Sequence, residues 1–255
     1  MNPYLKNLCR IEFVVTMACT GKCKHCSQGD HKSTDKIDKA LAVDAVRKIA
    51  SEYNITSVMT FGGEPLLCAD TVCEIHKTAR DMDIPHRQLI TNGYFSKDMA
   101  KIKTVAESLA DSGVNDILLS VDAFHQETIP LESVKAFARA VLETGRQIRV
   151  QPAWLISEND ANPYNLCTKE ILDEFREMGI ESNEGNIIFP AGNALKYLGD
   201  YLEPMDEDAN PYWEDPTDVR AICFSANGDI LGSNIYKEDI VKILGDYQPK
   251  SFSER

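Results

Sequence analysis

Short apolar runs recur along the chain, separated by longer stretches whose apolar residues are spaced by three and four. The runs fall at 11–16, 55–61, 87–91, 115–121, 148–156 and 186–190. Each has the length of a strand and is dense in Val, Ile, Leu and Phe, as a strand covered on both faces requires. The stretches between them carry helical periodicity. Over 40–53, Leu41, Val43, Val46, Ile49 and Ala50 fall on one side, and similar patterns occupy 69–82, 97–112, 131–145 and 168–178. Gly113, Gly145 and Gly179 each follow such a stretch, where a left-handed residue ends a helix. This alternation predicts βα units around a parallel sheet. Six units fall short of the eight of a closed TIM barrel. The expected fold is therefore α/β, an open, partial (β/α)6 TIM-like barrel.

Beyond that the chain changes character. Glu203 to Asp218 is acidic and proline-rich, which reads as a solvated loop, with a docking surface for a basic peptide or partner as the sharper alternative. Arg220 to Gly232 holds Asn227-Gly228 between two short apolar runs, a hairpin signal. We expect a core over 1–190 and a small C-terminal appendage over 191–255. No internal repeat or low-complexity tract is evident.

Composition narrows the function classes. The 255 residues are 43% apolar and 26% charged, ordinary for a globular protein of one large α/β domain or two small ones. No apolar run approaches the roughly 20 residues of a membrane span, and Met1 to Lys6 lacks a secretory pattern. The first strand begins so early that a separate N-terminal leader-peptide domain is not expected. A net charge of −13 repels phosphate backbones, which argues against general nucleic-acid binding. Eight cysteines without an export signal fit a reducing cytoplasm better than a disulfide framework.

Three of those cysteines carry the chemistry. Cys19, Cys23 and Cys26 form a C-x3-C-x2-C pattern directly after the first strand. Soft thiolates select iron–sulfur clusters or zinc. A structural zinc site would want a fourth protein ligand, and none is nearby, so the spacing points to a reactive metal centre with an open position. The second predicted strand ends in Gly62-Gly63-Glu64-Pro65. Its glycines permit close backbone approach, and its carboxylate and carbonyls can accept hydrogen bonds from a cationic amine. Both motifs fall beyond the carboxyl ends of strands, where parallel α/β folds bind ligands.

Together these residues resemble the radical S-adenosylmethionine (SAM) superfamily over roughly residues 10–190. The resemblance implies that Cys19, Cys23 and Cys26 bind a [4Fe–4S] cluster whose open iron is chelated by SAM. It puts Gly62, Gly63, Glu64 and Pro65 at the methionine amine, and His25 near the adenine, where members usually have an aromatic residue. Leu119-Ser120-Val121-Asp122 looks like the ribose motif, with Ser120 and Asp122 on one face. Thr91-Asn92-Gly93 is similar to a pocket-lining segment that includes Asn92. On the fifth strand Arg149 and Gln151 share a face, with Gln151 the better SAM contact, and Ile188 to Asn193 resembles the end of the sixth strand. The implied reaction takes an electron from reduced flavodoxin or ferredoxin and generates a 5′-deoxyadenosyl radical, which abstracts a substrate hydrogen.

The stretch from Cys223 looks like the opening of a cysteine-rich SPASM or twitch extension, common among peptide- and protein-modifying members. Gly232 and Ser233 stand where its next cysteine belongs, so a single cluster is expected and the extension reads as truncated. Cys223 is then a packing residue, with hydrogen donation to a substrate radical as the alternative. Cys9, Cys68 and Cys73 read as buried thiols; Cys167 is unassigned. His125 reads as a structural or solvated loop histidine, with a substrate-facing role as the alternative. The leading function is a radical SAM enzyme acting on a peptide or protein. The alternatives are one acting on a small metabolite and a non-catalytic iron–sulfur or zinc-binding protein.

Overall fold

Strand β1 (Arg10–Thr16) starts a series of crossovers between parallel strands. It runs through α1 (Lys39–Glu52), β2 (Ser57–Gly62), α2 (Ala69–Asp81), β3 (His86–Thr91), α3 (Met99–Ser112) and β4 (Asp116–Ser120). Helices α4 (Ala123–Gln126) and α5 (Leu131–Glu143) lead to β5 (Ile148–Gln151) and β6 (Ala153–Trp154), and α6 (Pro163–Glu177) leads to β7 (Asn186–Ile187) and α7 (Asn193–Leu198). The chain finishes with β8 (Ala221–Phe224), β9 (Asp229–Ile230), β10 (Ser233–Asn234) and α8 (Ile240–Asp246). The computed structural model describes residues 2–30, 33–202 and 214–249. Most of the acidic stretch, 203–213, therefore lies outside the described residues.

The central sheet has the order β5-β4-β3-β2-β1-β8 with every neighbouring pair parallel, the open, partial barrel expected from the alternation. Strand parity divides it into two faces. Ile11, Phe13 and Val15 of β1 are buried, and Thr60 of β2 meets His76 of α2 at 2.8 Å, so this parity faces the helices. The other parity presents Arg10, Glu12, Gln88, Asp116 and Arg149 on the inner face of the barrel. Helix boundaries follow local chemistry. Asp38, Asp98 and Asn162 cap α1, α3 and α6 by accepting from Leu41, Ala100 and Asn165 N–H. Gly113 closes α3 at φ 90°.

Three elements differ from the periodicity. The run 148–156 is broken at Pro152, which has no N–H to continue the ladder, so β5 and β6 are separate pieces. The expected sixth strand at 186–190 is reduced to β7, which pairs in parallel with β6 outside the six-stranded sheet. The sheet's sixth place is taken instead by β8, in register Glu12↔Cys223 beside β1. Phe13 stacks on Phe224 at 4.7 Å between ring centroids, fixing that edge. Asn227-Gly228 does turn the chain, with Gly228 at φ 84° donating to the Ser225 carbonyl. The antiparallel ladder itself forms one step later, between β9 and β10.

Candidate functional site

The carboxyl ends of the strands converge on one loop, residues 17–30, which carries Cys19, Cys23 and Cys26. Four segments grip it. From β2, Gly63 N–H donates to Thr16 O and Glu64 N–H to Ala18 O, each at 2.8 Å. A side chain here would collide: a Cβ on Gly63 would lie 2.2 Å from Ala18 O, and one on Gly62, at φ 143°, 2.5 Å from Thr16 O. Both glycines are thus required by the approach of the cysteine loop itself. From β3, the Asn92 amide reaches Thr20 Oγ1 at 3.2 Å and Cys19 Sγ at 3.7 Å. From beyond β4, Thr128 Oγ1 accepts from Lys22 N–H at 3.0 Å. From the start of α7, Asn193 donates its N–H to Cys26 O at 2.9 Å and its amide to Cys23 O at 3.3 Å. Gly192 is pressed so close that a Cβ would sit 2.4 Å from Ser27 O.

Glu64 is the buried bolt of this assembly. One carboxylate oxygen accepts from Leu66 N–H and Thr91 Oγ1 at 2.9 and 2.7 Å, and the other from Asn92 N–H at 2.8 Å. Burial pushes the carboxyl up to about 7, against the pull of those three hydrogen bonds. Both oxygens are engaged with the protein, and Pro65 opens the short 3-10 turn Pro65–Cys68 that turns the chain away. The Gly-Gly-Glu-Pro motif is in the first place a cradle for the cysteine loop.

On the opposite side, Asp122 is fully buried and caps α4, accepting from His125 N–H at 2.9 Å. Its second oxygen takes His125 Nδ1 at 2.8 Å and Ala153 N–H at 3.1 Å. Burial alone would raise Asp122, but the charges of His125 and His25 outweigh it and hold the group at about 2. His25 packs on His125 and on Phe124, with centroids 4.6 and 5.1 Å apart. Burial lowers its ring to about 4. His125 is therefore part of a half-buried constellation rather than a lone loop residue. Ser120 and Gln151 are paired in register and share the inner face; Gln151 accepts from Asn183 at 2.7 Å.

Of the inner face, sequence reasoning singled out Arg149 and Gln151 on the fifth strand and passed over Arg10, Glu12, Gln88 and Asp116. Arg10 bonds Glu12 and Gln88 at 2.5 and 3.1 Å, Gln88 bonds Asp116 at 2.9 Å, and Arg149 takes both oxygens of Asp116 at 3.2 and 2.6 Å and bonds Asn183 at 2.8 Å. The signal was polar residues at alternate positions in otherwise apolar strands. Cys223 shares this face, opposite Glu12. It is exposed by area, yet the surrounding walls and Glu12 push its thiol up to about 12. Protein crowds the sulfur without covering it. Cys9, Cys68 and Cys73, expected to be buried thiols, are half-buried, Cys167 is exposed, and the eight cysteines form no disulfide among the described residues.

The donor set suits an iron–sulfur cubane. Three thiols stand on one gripped loop, near enough that Cys19 and Cys26, after burial and Asp122, help hold the Cys23 thiol up. Gly21 N–H lies 3.4 Å from Cys19 Sγ and Asn92 adds a second donor to that sulfur. N–H groups aimed at sulfur are the surroundings that tune such clusters.

A three-thiol loop over the open end of a parallel half-barrel defines a cluster-dependent enzyme. A family profile described as the Radical SAM superfamily matches residues 13–151, and the chain belongs to that superfamily. Its cofactors are accordingly a [4Fe–4S] cluster and SAM, which sets aside the non-catalytic reading. Among curated proteins, a probable GTP 3′,8-cyclase of Saccharolobus islandicus is 31% identical over 215 residues, covering 76% of this chain and 65% of that protein. One from Methanocaldococcus jannaschii is 30% identical over 114 residues, covering 44% of this chain and 36% of its own. The chain thus spans between about a third and two thirds of these relatives' length. The crystal structure of Streptococcus suis SuiB bound to S-adenosylmethionine shares the fold, with TM-score 0.60 at 14% identity, covering 95% of this chain and 66% of that one. No helix among the described residues is long and apolar enough to cross a membrane.

Proposed function

We propose that this protein abstracts a hydrogen atom from a peptide or protein substrate laid along the inner face of the barrel. Cys19, Cys23 and Cys26 would hold the [4Fe–4S] cluster and leave one iron for the amino and carboxylate groups of SAM. Bound there, the two cofactors supply reductive cleavage of SAM to methionine and a 5′-deoxyadenosyl radical, with reduced flavodoxin or ferredoxin as electron source. The chain's own residues bind, orient and keep water out. Backbone carbonyls of the Gly62–Gly63 segment take the methionine amine, since the Glu64 carboxylate is committed elsewhere. Ser120 and Gln151 face the ribose and methionyl end, Asn92 steadies the cysteine loop, and Asp122 acts through His125. His25 offers its ring beside the adenine. The residues from 191 onward form the appendage, of which β8 brings Cys223 to the inner face. There it stays a protonated thiol at neutral pH, available to return a hydrogen atom to a substrate radical. Free thiols at the site call for a reducing compartment, the cytoplasm.

The observation that carries the substrate class is the neutralised inner face. Arg10 is paired with Glu12 and Arg149 with Asp116, so neither guanidinium on this face awaits a phosphate. The alternating donors and acceptors suit an amide-rich chain, and a net charge of −13 repels a triphosphate. A small-metabolite reading is favoured by the likeness to proteins named GTP 3′,8-cyclase, while a structure of SuiB bound to precursor peptide SuiA shares this fold. Equilibrium dialysis of the cluster-loaded protein with SAM and GTP separates the two. We expect no GTP retention at micromolar concentrations; stoichiometric retention, lost on Arg149→Ala, would overturn the peptide reading.

A further inference from the structure

The half-buried constellation beside the cysteine loop has a property that the roles above leave unused. One ring nitrogen of His25, one of His125 and one carboxylate oxygen of Asp122 all lie within 4.8 Å of one another. The donors come from two different segments, the cysteine loop and the start of α4, brought together by the fold. Two imidazoles and a carboxylate are a borderline donor set, suited to zinc, iron, cobalt or nickel rather than to magnesium or calcium. Three protein ligands leave a position open, the arrangement of reactive rather than structural zinc sites.

A second, independent observation points the same way. His25 Nδ1 is buried and has no hydrogen-bond partner among the described residues. A cap built only to start α4 needs Asp122 and His125 N–H, and a ring beside the adenine uses its face; neither role employs the Nδ1 lone pair of His25. The ring is held without hydrogen bonds: Phe124 and His125 pack against it, and Phe124 is backed by Tyr164 at 4.6 Å. Aromatic packing of this kind fixes where a donor points while leaving its lone pair unused. The separations are also within reach. Tetrahedral zinc with bonds of about 2.0–2.1 Å wants its ligands about 3.3 Å apart. The Asp122–His125 edge stands at 2.8 Å, and the two edges to His25 are at most 4.8 Å.

We propose that His25, Asp122 and His125 bind one divalent transition-metal ion, distinct from the iron at Cys19, Cys23 and Cys26. The open position accepts an oxygen donor, such as a water, hydroxyl or carboxylate. This does not depend on the substrate class argued above.

The test uses zinc on the cluster-loaded full-length protein. After addition of equimolar zinc and desalting, metal analysis should find about one zinc per chain beyond the cluster iron, as a single site requires. His25→Phe, which keeps the packing on Phe124 and should keep iron content and thermal melting, and His125→Ala, which should keep iron content, should each weaken zinc binding by at least about 100-fold. Zinc that is absent from wild type, or held equally by both variants, overturns the site. A second arm removes the cluster thiols: Cys19, Cys23 and Cys26 replaced by serine, with cobalt as the probe. Visible cobalt bands without a thiolate charge-transfer band, abolished by His125→Ala, support the site; no such bands refute it. Because this arm needs no cluster, it decides the question even where iron fails to load.

Discussion

At the scale of the residue, Glu64 does more structural work than its motif suggests. Its two oxygens accept from Leu66 N–H, Thr91 Oγ1 and Asn92 N–H, and so tie the end of β2 to the end of β3 through one buried carboxyl, while its own N–H holds the cysteine loop at Ala18 O. Glu64→Gln keeps the shape but turns an N–H₂ toward a donor. It should cost about 1–3 kcal/mol, the usual penalty for an unsatisfied buried group, and lower iron content; melting and iron analysis check both. The motif was legible in the sequence, but the anchoring role was not, because its partners lie 27 and 28 residues away. His76 makes a second case. It is fully buried, bonds Thr60 through Nε2, and is lowered to about 3 by burial, with Arg87 adding to the effect. Between pH 6.5 and about 3 the unfolded chain binds the proton that the folded chain refuses, so stability falls as pH falls through that window. Glu64, raised to about 7, works in the opposite sense between pH 4.5 and 7, where the folded chain holds the extra proton. The comparison must therefore be with His76→Gln, which removes one titration and leaves the other. The variant's acid-side loss should be smaller than wild type's by up to roughly 3 kcal/mol, read from urea unfolding at pH 7 and pH 4.

At the scale of the element, the site is a loop held at both flanks by glycines that cannot be anything else. Gly63→Ala puts a methyl where Ala18 O already stands, 2.2 Å away, and backbone cannot yield as a flexible side chain can. The variant should fold, since the clash lies outside the helix-facing core, yet bind well below the about four irons per chain of a full cubane. Iron and sulfide analysis after reconstitution measures it. The strands, the five long helices and the glycines that end them were readable because each depends on local spacing. The misses have non-local or single-residue causes. Pro152 cut a run that periodicity joined, and Asn162-Pro163 starts α6 five residues before its apolar pattern does. The four-residue α4 was hidden because its cap, Asp122, had already been given a ligand role. Gly192-Asn193 was read as a strand end; its grip on Ser27, Cys23 and Cys26 exists only once the chain has closed on itself.

At the scale of the whole molecule, Asn2 and α8, far apart in sequence, meet in space. Asn2 donates to the carbonyls of Leu244 and Tyr247 at 2.9 and 2.8 Å, capping the end of α8. β8 lies along β1 under the Phe13–Phe224 stack. Strand β8 thus extends the same sheet that carries the cysteine loop, which is how Cys223 reaches the inner face. Composition could announce an acidic protein of this size but not that pairing, which joins residues more than 200 apart in sequence. The central claim is that this loop and barrel perform SAM cleavage at a three-cysteine cluster. Its most direct test is the yield of 5′-deoxyadenosine from anaerobically reconstituted protein given SAM and dithionite without substrate. We predict that the product forms, and that replacing Cys19, Cys23 and Cys26 with alanine abolishes both it and the broad visible absorption. A fully loaded protein that gives no 5′-deoxyadenosine, or gives only S-adenosylhomocysteine, would contradict it.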